Sequence, residues 1–127
     1  MPRHTVLLAD DDPEALAMMS RYLELEGFNC LTAGDGDQAL ATVGAQNPEA
    51  VFLDTGMAGI SSNVICRQMR AEAATSRTPV LMVALTPQEE SAARDAGATA
   101  VLPKPFHLAD LAATFRALFP DTPPPVG

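Results

Sequence analysis

Five short apolar runs punctuate the chain, at Thr5 to Ala9, Asn29 to Ala33, Ala50 to Asp54, Val80 to Leu85 and Ala100 to Pro103. Longer stretches with helical spacing of apolar residues separate them. This alternation predicts parallel strands joined by crossover helices. The runs VLLA, AVFL and VLMVAL are apolar without interruption, as strands covered on both faces are. The predicted class is α/β, a doubly wound sheet.

The helical stretches carry their own punctuation. Asp12 followed by Pro13 reads as an N-cap and first helical position, and Leu16, Met19 and Leu23 form a stripe, thickened by Met18, Tyr22 and Leu25, that ends at Gly27. The second helix is predicted from Asp35 to Gln46, the third from Ser62 to Glu72, the fourth from Pro87 to Ala96 and the fifth from Leu108 to Phe119. Leu108, Leu111, Phe115 and Leu118 make the buried face of the fifth, while the alanine-rich fourth offers little to pack. After Phe119 the sequence PDTPPPVG cannot continue a helix. Residues 1–119 therefore read as one domain and 120–127 as a proline-rich tail or the start of a linker.

Composition narrows the function. The 127 residues fit one domain, and sixteen acidic against eight basic side chains give a net charge of −8. That balance argues against direct nucleic-acid binding, which needs Lys and Arg to replace phosphate counterions. Cys30 and Cys66 are too few for a disulfide framework, so buried, reduced thiols and a cytoplasmic setting are expected. The opening MPRHTVLLADDD is neither a signal peptide nor a membrane span, because its short apolar run ends in three aspartates.

In an open parallel sheet, ligands bind beyond the carboxyl ends of the strands, where the winding reverses. The first strand ends in Asp10, Asp11 and Asp12, the third in Asp54, and the fifth in Pro103, Lys104 and Pro105. Carboxylates gathered on one rim repel one another unless a cation neutralises them, so a hard divalent cation such as Mg²⁺ is the economical explanation. A bare DDD reads equally well as a solvated turn capping a helix. Asp54 shifts the balance, since a charge closing AVFL is awkward without a role. Lys104 is the only lysine; the other seven basic residues are Arg3, Arg21, Arg67, Arg70, Arg77, Arg94 and Arg116. A compact ammonium at this rim suggests contact with a phosphoryl oxygen.

The segments VLLADDDPEAL, VFLDTGMAG, TPVLMVAL and GATAVLPKPF, in this order, resemble the receiver domain of two-component response regulators from about Thr5 to Phe119. The resemblance implies a flavodoxin-like (βα)5 fold with a five-stranded parallel sheet in the order 2-1-3-4-5. It makes Asp54 the acceptor of a phosphoryl group from the phosphohistidine of a sensor kinase or phosphotransfer protein. Asp10, Asp11, Asp54 and the carbonyl of Gly56 would hold Mg²⁺ or Mn²⁺, Asp11 directly and Asp10 through water. Lys104 and Thr55 would contact the phosphoryl group, with Lys104-Pro105 a cis peptide. Phosphoryl transfer suits these residues, because it needs an in-line nucleophile and positive charge about the equatorial oxygens.

The sequence also departs from that pattern. The hydroxyl residue of the fourth strand falls on Ala84, and the switch aromatic of the fifth falls on Val101. Thr86 lies two residues too late to replace the hydroxyl unless the strand end is bulged. Leu85 stands where a small residue usually leaves access, and Ala58 and Ser61 replace the customary proline and aspartate of the acceptor loop. Phosphate shifts an equilibrium only through contacts that differ between two states, so the expected switch is weak or runs through the loop from Thr55 to Ser62.

Three readings follow. The first is a phosphoacceptor signalling domain, not an enzyme, with a downstream protein or a second copy on the face of the fourth helix, fifth strand and fifth helix. Arg94, Asp95, Asp110 and Arg116 are the main charges of that face. The second is a degenerate receiver acting as a phosphorylation-independent interaction module. The third, a metal-dependent phosphohydrolase with Asp54 as nucleophile, is disfavoured because DTG lacks a second aspartate and no cap region is present. His4 and His107 read as surface histidines; Met18, Met19, Met69, Met82 and Cys66 read as core, and Met57 as exposed.

Overall fold

A computed structural model describes residues 3–120. Residues 121–127 of the predicted tail lie outside the described residues. In chain order the elements are β1 (Thr5–Ala9), α1 (Pro13–Leu25), β2 (Asn29–Ala33), α2 (Gly36–Gln46), β3 (Ala50–Leu53), α3 (Ser62–Ala71), β4 (Val80–Ala84), α4 (Pro87–Asp95), β5 (Ala100–Pro103) and α5 (Leu108–Leu118). All strand pairs are parallel, in the order β2-β1-β3-β4-β5.

Alternation along the strands sorts side chains to two faces. Leu7, Ala9, Val51, Leu53 and Met82 point to a layer completed by Val43 of α2, Ile65, Cys66 and Met69 of α3, and Ala93 of α4. Val6, Leu8, Phe52, Leu81 and Val83 point the other way, to Met19 and Leu23 of α1 and Leu111 and Phe115 of α5. Every residue of β3 and β4 is buried, whereas β2 and β5, at the edges, consist of half-buried and exposed residues apart from the buried Ala33. The uninterrupted apolar runs thus mark the interior of the sheet.

Helix starts follow the local chemistry. Asp12, Asp35, Ser61 and Thr86 each accept an N–H of the first turn, which satisfies one of its orphan donors. Predicted ends at Glu72, Ala96 and Phe119 are the C-caps of α3, α4 and α5. β3 and β4 stop one residue before the predicted Asp54 and Leu85.

Expectations about five side chains need correction. Met18 and Leu25 are 61% and 55% exposed; seven positions apart, they share a flank of α1 turned away from the sheet. Met57 is buried, because the loop after β3 folds it into the α2–α3 layer. Cys30 is half-buried on the edge strand β2, while Cys66 is fully buried; both are free thiols. His4 is half-buried rather than a surface histidine: its ring stacks on Phe119 with centroids 4.1 Å apart, and Nδ1 lies 2.5 Å from Glu49 Oε2. His107 is exposed, at the N-cap position of α5, where its side chain makes no capping bond. Among the described residues, no helix is long and apolar enough to cross a membrane.

Candidate functional site

The winding of the sheet reverses between β1 and β3, because β2 lies on one side of β1 and the later strands on the other. Ala9 pairs with Leu53 in the last register of these two strands, so Asp10 and Asp54 leave the sheet side by side. Their backbone amides hold them there. Asp10 N–H donates to Ala33 of β2, and Asp54 N–H donates to Ala9 of β1. Asp54 and Asp10 are buried, 4% and 9% exposed, and Asp11 is exposed.

Lys104 reaches this pair from two strands away. β4 lies between β3 and β5, so the ammonium spans roughly 10 Å of sheet width. Lys104 N–H donates to the Ala84 carbonyl at 2.9 Å, which fixes the start of the side chain, and Nζ donates to Asp54 Oδ1 at 3.1 Å. The Lys104-Pro105 peptide is cis. Phe106, two residues on, packs against Phe52 with centroids 5.7 Å apart. Asp10, Met18, Met19, Asp54, Lys104 and Phe106 line a cavity of about 300 Å³ at this point.

The charges perturb one another. Burial lifts the Asp10 carboxyl above the ordinary aspartate range; the Asp12 N–H and Lys104 oppose this, and the charges of Asp54 and Asp11 add to it. Burial alone would lower the Lys104 ammonium, but the hydrogen bond and charge of Asp54, with the charges of Asp10 and Asp11, carry it above its usual value. Lysine is therefore charged at neutral pH.

One carboxylate oxygen from each of Asp10, Asp11 and Asp54 can be chosen so that all three lie within 4.8 Å of one another. Three oxygen donors so close form a set that a hard divalent cation would fit and that, without one, one ammonium only partly neutralises. Asp12 stands apart from this set: its side chain accepts from Glu14 N–H and caps α1. The four predicted charges, Asp10, Asp11, Asp54 and Lys104, are thus brought together.

The loop from Thr55 to Ser61 is fastened at several points. Gly56 adopts φ +85°, a conformation that suits glycine. Gly36 N–H donates to the Ala58 carbonyl at 2.9 Å, and a Cβ on Gly36 would lie 1.8 Å from the Ile60 carbonyl oxygen. Only glycine allows α2 to start so close to this loop. Ser61 Oγ accepts from Val64 N–H as the cap of α3, so a serine fills the place the resemblance gives to aspartate. Ser62, which sequence reasoning passed over, is buried and donates its hydroxyl to the Asp54 carbonyl. A polar residue next to a cap serine was the available signal, but its inward direction is set by tertiary packing.

On the β4 side, Ala84 is buried and Leu85 is 64% exposed. The register from Leu81–Ala100 to Ala84–Pro103 runs without a bulge, so Thr86 is not drawn back into the position of Ala84. Its hydroxyl instead accepts from Glu89 N–H at 3.1 Å, and Glu89 Oε1 accepts from Leu85 N–H at 2.8 Å. Val101 is half-buried, and Ala84, Leu85, Thr86, Val101 and Leu102 line a cavity of about 340 Å³ between α4 and β5.

Comparison with known proteins fits this geometry. Residues 6–116 match the model of the response regulator receiver domain family. The chain is 36% identical over 122 residues to the response regulator MprA of Mycolicibacterium vanbaalenii, covering 96% of this chain and 53% of that protein. It spans about half the length of such relatives. Among solved structures, the chemotaxis response regulator CheY4 of Vibrio cholerae superposes with a TM-score of 0.85 at 27% identity, over 93% of this chain and 100% of the other. A response regulator receiver domain protein of Methanospirillum hungatei gives a TM-score of 0.82 over 92% and 94% of the two chains; at 20% identity it speaks to the fold alone.

Proposed function

Because the chain belongs to the response regulator receiver domain family, we propose that it accepts a phosphoryl group on Asp54 from the phosphohistidine of a sensor histidine kinase or phosphotransfer protein. The observation that carries this reading is the contact of Lys104 Nζ with Asp54 Oδ1 at 3.1 Å, beside the Asp10–Asp11–Asp54 carboxylates. In the step, an Asp54 oxygen forms the new bond to phosphorus while the phosphorus–nitrogen bond of the donor breaks, and the departing imidazole nitrogen takes up a proton. Lys104, already placed against the acceptor, stabilises charge on the phosphoryl oxygens. Asp10, Asp11 and Asp54, with the Gly56 carbonyl, would hold Mg²⁺ or Mn²⁺. When bound, that ion neutralises the carboxylates and the incoming phosphoryl group.

Asp54 is then a stoichiometric acceptor and the chain no enzyme. A cytoplasmic setting follows from the donor, and a downstream protein or second copy would use the face of α4, β5 and α5. Two of the four charges named for that face are engaged within the chain. Arg94 pairs with Glu90, and Arg116 donates to the Glu26 carbonyl at 2.6 Å.

Incubation with acetyl phosphate and Mg²⁺ followed by intact mass measurement tests the proposal. One added phosphoryl group is expected, absent from Asp54→Asn and from a sample with chelator. A mass unchanged by acetyl phosphate and by a phosphorylated kinase would sink it. The second reading, a phosphorylation-independent interaction module, is favoured by Ala84 and by the commitment of Thr86 to capping α4. It predicts partner binding that Asp54→Asn leaves unchanged.

A further inference from the structure

Among the described residues, Ser62 is one of three buried polar or charged residues, and the other two are Asp10 and Asp54. Its hydroxyl is not needed to start α3, since Ser61 already caps the helix. Instead it turns inward and donates to the main-chain carbonyl of Asp54. The pairing of β3 with β4 ends at Leu53–Met82, so the Asp54 carbonyl leaves the sheet and is met by a side chain. With the Asp54 N–H donating to Ala9, both main-chain polar groups of this residue are fixed.

A trans peptide is planar, with its carbonyl and N–H pointing in opposite directions. Binding the Asp54 carbonyl to α3 therefore aims the Thr55 N–H away from α3 and sets the path of the chain into Gly56. We infer that Ser62 is a positioning residue for phosphoryl transfer: its hydroxyl fixes the Asp54–Thr55 peptide so that the acceptor loop presents Thr55 and Gly56 to the site in one orientation. The inference rests on the proposed role of Asp54.

The test compares the full chain with Ser62→Ala, Ser62→Thr and Ser61→Ala, reading the rate of phosphoryl uptake from acetyl phosphate at saturating Mg²⁺ beside the melting temperature. Losing one orienting hydrogen bond slows Ser62→Ala about five- to tenfold, and Ser62→Thr, which keeps the hydroxyl, returns to within about twofold. Ser61→Ala loses the cap and melts earlier, yet reacts at the wild-type rate. A folded Ser62→Ala that reacts at the wild-type rate overturns the inference, as does equal slowing in Ser61→Ala, which would make loosening of α3 the cause. Should Ser62→Ala not fold, Ser62→Cys keeps the shape with a weaker donor, and a wild-type rate there overturns it equally. If the wild-type chain takes up no phosphoryl group, the reading of Asp54 falls and the assignment of Ser62 falls with it; uptake by wild type with an indifferent Ser62 removes only the latter.

Discussion

Two halves of the same sheet edge are built differently. Beyond β1 and β3, polar groups converge: Lys104 crosses the end of β4 to Asp54, Asp10 accepts from Asp12 N–H, and Ser62 holds the Asp54 carbonyl. Beyond β4 and β5, apart from the Lys104 side chain sent across to Asp54, the polar groups are tied into the local start of α4, where Thr86 accepts from Glu89 N–H and Glu89 accepts from Leu85 N–H, and the sheet contributes Ala84 and Val101. The first half has groups that a phosphoryl group would contact. In the second, no side-chain hydroxyl stands at the strand end and a cavity of about 340 Å³ lies between Ala84 and Val101. The contrast teaches that the proposed acceptor chemistry and a relay to a distant face are separable, because they would use different side chains: Asp10, Asp54 and Lys104 for the first, positions 84 and 101 for the second.

The largest effects should come from breaking the first half. Asp54→Asn abolishes phosphoryl uptake, read by intact mass. Lys104→Met slows it by about a hundredfold, the scale of losing one charge-stabilising donor. Next come changes that would give the second half what it lacks. Ala84→Thr with Val101→Tyr supplies a hydroxyl and a ring to the cavity, and amide resonances of α4 should then move on phosphorylation. Either change alone should leave them still. Ala84 is buried, so Ala84→Thr adds bulk at a packed position and should cost about 1–3 kcal/mol of stability, seen as an earlier melting transition, whereas Val101→Tyr extends into the cavity.

A smaller effect sharpens the first half. A carboxyl raised above its unfolded value, as Asp10 is, binds its proton more tightly in the folded state. The fold is then most favoured below the unfolded pKa and loses stability as pH climbs towards the folded one. Asp10→Asn should remove that slope and raise the melting temperature at pH 7 in chelator by a few degrees, about what 1 kcal/mol gives a domain of this size. It should also abolish most of the stabilisation that Mg²⁺ gives the wild type. The smallest effect lies away from the site. Burial pushes the Cys30 thiol up to about 11, so it should alkylate slowly at pH 8, and its contribution should make the fold less stable as pH rises from 9 towards 11.

Much of this was legible in the chain because it depends on local chemistry. The apolar runs place the strands, Asp12-Pro13 and Pro87 start helices, and Asp10, Asp54 and Lys104 converge once the strands are parallel. What was not legible depends on direction in space. Ser62 looks like a second cap serine until its hydroxyl is seen facing inward. Met18 and Met57 exchange their expected environments, because one sits on a flank of α1 and the other under a folded loop. His4 finds Phe119 across 115 positions of sequence, a contact no local pattern carries.

The central claim is that this chain keeps the acceptor site while lacking the relay through β4 and β5. Backbone amide spectra of the chain before and after phosphorylation of Asp54 test it most directly. Shifts are predicted at Asp10, Asp11, the loop from Thr55 to Ser62 and Lys104, with the amides of Val101 and α4 unmoved. Shifts at Val101 and along α4 as large as those in the loop would contradict the account.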